Sequence, residues 1–352
     1  MPGPRKIYLE LTNRCNLNCE MCYRQAWHEP LTDMSQGLLD RCIAEIRSIP
    51  SIDTVVLGGI GEPTVAPAFP WVLEQLQDKR LIVTTNGTQD DPRLVRAMAA
   101  MADQIVVSID GGAEQFQAIR GYPLAPVVEF IDHLNEARKQ MDRLRPGLVF
   151  QMTLSEDNAA DIPVVLKLAQ AKGVERVILS HLLPATEAES ERLLYRHYEN
   201  PAGKALAKAT NLLACQLSLN VSIPAMELKT ERHCRFVDDE SMMILTDGCV
   251  VPCYRLAHDG RERVFGRDKA LEAHSFGRLS ETDACQAGLL AIWDSPAYRR
   301  FRKTVSGQDY PSCIDCDLVE GCDMVRSTTV DCNCNAPSCG DCLWARNFIY
   351  CV

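Results

Sequence analysis

"TNRCNLNCEMCYRQAW", residues Thr12 to Trp27, places Cys15, Cys19 and Cys22 within eight residues. Metal sites and iron-sulfur clusters usually close with four protein ligands. A loop that stops at three is one ligand short. What completes the site has to be sought in the rest of the chain.

Outward from this loop the chain has a regular rhythm. "KIYLEL" precedes it, and "SQGLLDRCIAEIRSI", "TVVLGG", "FPWVLEQL", "LIVTTNG", "PRLVRAMAAM", "QIVVSIDG", "VVEFIDHLNEARKQM", "LVFQMTLS", "IPVVLKLAQAKG" and "RVILSHLLP" follow. Short β-branched runs alternating with amphipathic stretches, six times over, predict parallel strands joined by crossover helices. The near-continuous apolar character of "TVVLG", "QIVVSI" and "RVILS" fits strands covered on both faces. The expected class is therefore α/β, a partial six-stranded TIM-type barrel of about 220 residues, whose ligands gather where strands end and loops begin.

Composition narrows the function classes. The 352 residues suggest two domains, and we place them at 1–225 and 226–352. The net charge of -10, from 37 Lys and Arg against 47 Asp and Glu, disfavours nucleic acid as a partner. No run of eighteen apolar residues occurs and the start, "MPGPRKIYLEL", lacks the apolar segment of a signal peptide. The expectation is a cytoplasmic protein with no membrane contact. In a reducing cytosol seventeen cysteines point to metal or cluster binding rather than a disulfide framework. Twelve of them fall from Cys234 onward, which makes a thiolate-rich second part.

Chemistry-bearing residues recur at the strand ends. "GGIGEP" (Gly58 to Pro63) ends the second strand, "TTNG" (Thr84 to Gly87) the third and "SIDG" (Ser108 to Gly111) the fourth. Glycines let backbone approach a ligand, and Glu62 and Asp110 offer carboxylates to an ammonium or to hydroxyls. Each alone reads first as an ordinary strand-to-helix turn, and it is four in register with a three-cysteine loop that point to a site.

The spacing C-x3-C-x2-C followed by Tyr23 resembles the cluster loop of the radical S-adenosylmethionine (radical SAM) enzymes. The resemblance implies that Cys15, Cys19 and Cys22 hold three irons of a 4Fe-4S cluster, leaving the fourth iron for S-adenosylmethionine, which is cleaved reductively to a 5'-deoxyadenosyl radical. It further implies Glu62 at the methionyl amine, Ser108 and Asp110 at the ribose, Arg120 at the carboxylate and Tyr23 near the adenine. Gly59 and Asn86 join the same cofactor-binding set. "GGIGEP" carries Ile60 and Gly61 beyond the family's shorter motif. For Arg120 the alternative is a solvated arginine at a helix end. A low-potential electron donor of ferredoxin or flavodoxin type is implied as a partner.

The second part resembles the SPASM extension of such enzymes, which holds two auxiliary 4Fe-4S clusters. The resemblance rests on "CRFVDDESMMILTDGCVVPC" (Cys234 to Cys253), "AIWDSPAYRRFR" and "CIDCDLVEGC" (Cys313, Cys316, Cys322). It departs from the usual pattern at Arg326, where a cysteine is expected, and in the tail "DCNCNAPSCGDCLWARNFIYC". Cys234 and Cys253 are assigned to one cluster and Cys313, Cys316 and Cys322 to the other. Each would be completed from Cys332, Cys339, Cys342 and Cys351, with Cys249 and Cys334 the weakest candidates. Cys42 reads as a core residue on the face of Leu38, Leu39 and Ile46, while Cys215 and Cys285 are left outside the sites. His181 is expected at the barrel mouth, in contact with substrate or hydrogen-bonded structurally.

Over nearly its whole length the chain resembles the radical SAM maturases associated with tungsten cofactor oxidoreductases. A tungsten-pterin cofactor or its oxidoreductase is the implied substrate. Two alternatives stay open: a maturase of a ribosomally made peptide, and a non-catalytic protein with zinc on pairs such as Cys313/Cys316 and Cys339/Cys342.

Overall fold

The computed structural model describes residues 3–27, 29–281 and 287–352. Cys285 lies outside them. The first half builds β1 (Lys6–Leu9), α1 (Gln36–Ser48), β2 (Thr54–Leu57), α2 (Phe69–Gln75), β3 (Arg80–Thr85), α3 (Pro92–Met101), β4 (Gln104–Ser108), α4 (Ala113–Arg120) and α5 (Leu124–Gln140). It continues with β5 (Gly147–Leu154), α6 (Ile162–Ala171), β6 (Arg176–His181), α7 (Glu187–Glu191), α8 (Pro201–Gln216) and β7 (Asn220–Ser222). Strands β1 to β7 pair in parallel and in sequence order. The helices start where local chemistry caps them. Asp91 accepts from the backbone of Arg93 and Leu94 with Pro92 in the first turn of α3, and Ser35 caps α1 in the same way.

The period of two along each strand sorts side chains between two environments. Ile7, Leu9, Val55, Leu57, Leu81 and Val83 pack against the helices in the main core. Tyr8, Val56, Ile82, Val106, Val149 and Ile178 point the other way and form an apolar layer inside the barrel. The expected six strand-helix units are all present as β1 to β6, and the class is α/β with a partial barrel, as read from the rhythm.

The sheet extends beyond those six strands. After α9 (Arg235–Asp238), β8 (Ser241–Ile244) pairs in parallel with β1, and β9 (Cys249–Val251) turns back antiparallel onto β8. A separate hairpin, β10 (Gly260–Val264) with β11 (Arg267–Leu271), precedes β12 (Gly277–Arg278), which pairs with β9. The ten strands run β12-β9-β8-β1-β2-β3-β4-β5-β6-β7. Two helices, α10 (Leu289–Trp293) and α11 (Pro296–Ser306), then pack Trp293, Tyr298 and Phe301 into the same core as the barrel helices.

The sheet does not close on itself, its edges being β7 and β12, and the C-terminal tail runs along the open side at β6 and β7. The backbone of His181 donates to Phe348 O (3.1 Å), Ala225 donates to Asn347 O (2.8 Å) and Tyr350 donates to Ser180 Oγ (3.0 Å). Beyond Tyr350 the chain lies inside the lumen, where Lys6 Nζ (2.8 Å) and Tyr8 Oη donate to Val352 O. Among the described residues no helix is long and apolar enough to cross a membrane.

Candidate active site

The cysteine loop leaves the end of β1 and is tied down along its length. Thr12 Oγ1 donates to Asp33 Oδ1 (2.6 Å), Asn13 Nδ2 to Pro30 O (3.0 Å) and Glu20 N to Ile119 O (2.9 Å). Arg24 Nη2 reaches back to Leu17 O at 3.1 Å. The insertion in "GGIGEP" has a physical purpose here. Gly59 sits at φ +137°, and a Cβ on Gly61 would lie 2.2 Å from Thr12 O and 2.6 Å from Arg14 O. Only residues without side chains let this loop press on the backbone that carries the thiols. Glu62 N then donates to Arg14 O at 2.8 Å and completes the docking.

Cys15, Cys19 and Cys22 line one cavity of 330 Å³ together with Tyr23, Gly59, Glu62, Asn86, Ser108, Asp110 and Arg120. The structure therefore brings together every residue assigned to the first site. Burial pushes the Cys19 thiol up to about 11, with Arg120 pulling it down and Cys22 and Cys15 adding to the rise. Such thiols need a positive partner to be held as thiolates.

Glu62 is buried and held by four donors. Oε1 accepts from Thr64 N (3.2 Å), Thr64 Oγ1 (2.6 Å) and Thr85 Oγ1 (2.8 Å), and Oε2 from Asn86 N (2.6 Å). Oε2 keeps acceptor capacity for one more donor, such as an ammonium. Burial raises the carboxyl's pKa against these hydrogen bonds, so a cation placed there would be held strongly.

Asp110 and Arg120, read from sequence as two independent contacts, form one buried pair. Arg120 Nε and Nη2 reach Asp110 Oδ2 at 2.7 and 2.5 Å. The Arg120 side chain is 11% exposed, which overturns the alternative of a solvated helix-end arginine. Burial lowers its pKa, but Asp110 and Cys19 outweigh burial and hold it above the ordinary value. Asn86 also does more than line the cavity. Its Nδ2 donates to Asn16 Oδ1 (2.9 Å) and lies 3.8 Å from Cys15 Sγ, pinning the third strand end to the cysteine loop.

The second part gathers its thiols into two groups. Cys234 feels Cys342, Cys253 feels Cys234 and Cys342, and Cys339 feels all three, which places the four thiols near one another. Burial is the main cause of their raised pKa values, and it pushes Cys234 up to about 12. Arg255 counters this at Cys342. The other group is built on Cys313, whose thiol feels Cys332. Cys316 and Cys322 follow on the same loop through a turn in which Val319 N donates to Cys316 O (3.1 Å) and Cys322 N to Val319 O (3.3 Å). Tail residues therefore lie beside earlier cysteines in both places, Cys339 and Cys342 beside Cys234 and Cys253, and Cys332 beside Cys313.

Among the described residues no three His, Cys, Asp or Glu side chains converge on a point that a single ion would occupy.

Cys351 is the one expected tail ligand that enters the barrel lumen, and its thiol still feels Cys342. It lies in the lumen, where Trp344 Nε1 donates to its sulfur at 3.1 Å and burial pushes it up to about 11. The path of the tail through the gap beside β7 carries it there. Cys249 is engaged by Asp247 (3.2 Å) and Arg278 (3.1 Å), Cys334 is exposed, Cys42 is fully buried in the core and Cys215 is exposed on α8.

His181 is buried, with Nε2 donating to Ala225 O at 2.9 Å. Burial depresses its pKa to about 4, so the ring is neutral at pH 7, and among the described residues its Nδ1, an acceptor, has no hydrogen-bond partner. It lines the same cavity as the thiols, with Gln151, Thr153, Ser180, Tyr254 and Trp344. Gln151 and Thr153 could have been found as the polar positions alternating through the apolar strand β5. Sequence reading also missed a buried charge network under the tail. Arg255 pairs with Glu262 and with Asp341 (2.8 Å), and Lys269 reaches Asp341 at 2.9 Å.

A parallel barrel with three thiols at one strand end and a thiol-rich extension defines a class. The chain belongs to the radical SAM superfamily: residues 9–169 match that family's model and residues 234–317 match the SPASM iron-sulfur cluster-binding domain. It is an enzyme of that superfamily, binding S-adenosylmethionine and a 4Fe-4S cluster in its radical SAM domain and further iron-sulfur in its SPASM domain. More particularly, it is 34% identical over 352 residues to the tungsten-containing aldehyde ferredoxin oxidoreductase cofactor-modifying protein of Pyrococcus furiosus, covering 98% of this chain and 96% of that protein.

Solved structures of similar fold include Streptococcus suis SuiB bound to S-adenosylmethionine (TM-score 0.62, 14% identity, 92% of this chain and 72% of that one). Another is anSMEcpe with bound AdoMet (TM-score 0.61, 15% identity, 98% and 94%). At these identities the likeness is one of fold.

Proposed function

We propose that this enzyme modifies or matures a tungsten-pterin cofactor, or the oxidoreductase that encloses it, by radical chemistry in the cytoplasm. The observation that carries the substrate is the end-to-end match to the cofactor-modifying protein, which runs through the radical SAM domain, the SPASM domain and the tail. In this reading residues 1–225 generate the radical and residues 226–352 hold two auxiliary clusters.

Cys15, Cys19 and Cys22 would hold the cluster whose open iron takes S-adenosylmethionine. When bound, that pair of groups supplies one-electron cleavage of the sulfonium to methionine and a 5'-deoxyadenosyl radical. The chain's own residues place it. Glu62 accepts from the amine through its less occupied oxygen, Arg120 meets the carboxylate while Asp110 keeps it aimed, Asp110 and Ser108 face the ribose, and Tyr23, Gly59 and Asn86 close around the remainder. Below them the apolar layer of Val106, Val149 and Ile178 excludes water, protecting a reactive species from quenching.

The auxiliary ligand sets would be Cys234, Cys253, Cys339, Cys342 and Cys313, Cys316, Cys322, Cys332, with Cys351 outside both. A ferredoxin- or flavodoxin-type protein would supply low-potential electrons.

The test is to express the partner oxidoreductase with this enzyme, with its Cys19→Ala variant and with neither, then compare oxidoreductase activity and the mass of the extracted cofactor. A cofactor altered only by the wild-type enzyme is expected. An active oxidoreductase with an identical cofactor in all three would overturn this reading and promote the peptide alternative.

A further inference from the structure

The larger cavity of the lumen is not the one that carries the thiols. It measures 560 Å³ and lies at the opposite, N-terminal ends of the strands. Its wall is built from strand starts. Lys6, Thr54 and Arg80 open β1, β2 and β3 in one row of the sheet, and Arg176 opens β6. Arg235 comes from α9, and Arg5 from the residue before β1.

In a chain of net charge -10 this wall holds five cations, Arg5, Lys6, Arg80, Arg176 and Arg235, against the three carboxylates of Asp53, Asp238 and Asp239. Those carboxylates are already engaged. Asp53 pairs with Arg5 (2.9 Å), Asp239 with Lys6 (3.3 Å) and Asp238 with His233 (3.1 Å).

Among the described residues Arg80, Arg176 and Arg235 have no ion-pair partner. Arg176 donates to Ser222 Oγ at 3.1 and 2.7 Å, and Arg235 lies over the Tyr350 ring at 4.2 Å. The cations also repel one another. Arg176 is lowered by burial and then by Arg235, whereas Lys6 is lowered by burial, partly restored by Asp239 and Cys351, and lowered a little further by Arg80. An anion placed among these cations would offset their mutual repulsion, and the planar forks of arginine match phosphate oxygens in pairs. The ceiling of the cavity is the tail. Trp344, Ile349, Cys351 and Val352 line both cavities, so the two are compartments of one lumen divided by those residues.

We propose that the lower compartment binds the phosphate or diphosphate group of a small organic substrate. Arg80, Arg176 and Arg235 anchor the phosphate, and the organic part reaches past the tail toward the thiol-lined cavity. The organic part as a pterin rests on the proposed function above, but the anion site does not. The overall acidity of the chain argues against capture of a free anionic pterin by long-range attraction, and a basic compartment inside the barrel replaces that attraction with a local one.

The probe is inorganic pyrophosphate, titrated calorimetrically into the anaerobically purified holoenzyme with S-adenosylmethionine saturating the upper cavity. Wild type should bind it, Arg80→Gln should bind about ten-fold more weakly and Arg80→Gln/Arg176→Gln about a hundred-fold more weakly. Both variants should keep the cluster absorbance. Arg80 is exposed, so its single variant removes the charge without touching the core. No binding by wild type, or equal binding by wild type and both variants, would overturn the site.

A second arm compares 6-hydroxymethylpterin diphosphate with unphosphorylated 6-hydroxymethylpterin. Tighter binding of the former that depends on Arg80 and Arg176 supports the assignment, and equal affinity overturns it. If the oxidoreductase's cofactor is unaltered in the co-expression experiment while the arginine-dependent binding holds, the tungsten-pterin reading falls and the phosphate site stands.

Discussion

Asp110 shows what a single residue does in this site. Its Oδ2 takes both Arg120 nitrogens, its Oδ1 accepts from Thr153 N at 2.7 Å, and the residue is 2% exposed. An anion this enclosed is a fixed strut: it aims Arg120 and ties the end of β4 to β5. Asp110→Asn retains the shape and removes the charge, leaving a buried guanidinium without its partner. The loss of one charge-assisted contact is worth about 1.5–3 kcal/mol, so S-adenosylmethionine should bind about ten- to a hundred-fold more weakly while the cluster spectrum persists. Calorimetric titration of the reconstituted variant checks this. Unchanged affinity would mean that neither Asp110 nor Arg120 serves the cofactor.

At the scale of elements, the exit of the cysteine loop is clamped to the SPASM segment by one histidine. His258 stacks on Trp27 with ring centroids 3.9 Å apart, places Nδ1 2.7 Å from Glu29 Oε2 and lies 3.6 Å from Glu10 Oε1 at the end of β1. Burial works against its charge, but hydrogen bonding and attraction from Glu10 and Glu29 outweigh burial and raise its pKa. A histidine raised in the folded state contributes stability that is fully present below its unfolded pKa of about 6.5 and is lost as pH rises through the folded value. The urea midpoint of the holoenzyme should therefore fall from about pH 6.5 upward. In His258→Gln that part of the slope should disappear. Parallel pH profiles for the two proteins would remove His258 from this role.

At the scale of the whole molecule, the tail connects both halves. It supplies Cys339 and Cys342 beside Cys234 and Cys253, supplies Cys332 beside Cys313, and then enters the barrel. Replacing Cys342 with Ala should cost one auxiliary cluster, about four irons per chain. Reductive cleavage of S-adenosylmethionine should continue, because Cys15, Cys19 and Cys22 are untouched, while modification of the substrate stops. Iron analysis with quantified 5'-deoxyadenosine reads both effects. Full iron content in Cys342→Ala would take Cys342 out of the ligand set.

What the sequence determined by itself is what short-range spacing can encode. Three thiols within eight residues, the alternation of strand and helix, and polar residues at the ends of apolar strands all concern neighbours along the chain, so the α/β class and the gathering of the first-site residues at one end of the strands were legible before any coordinates. The tertiary structure alone decided the long-range partnerships. Asp110 with Arg120, Cys332 with Cys313, and β8 on β1 join groups whose mutual distance depends on sheet register and helix packing. The place of Cys351 in the lumen was not legible, because a thiol close to cluster-type cysteines gives no sign that its segment will thread an open barrel. The basic floor was invisible for the same reason. Lys6, Arg80, Arg176 and Arg235 are scattered along an acidic chain, and only the parallel sheet, which sets the first residues of its strands at one end, makes them a single surface.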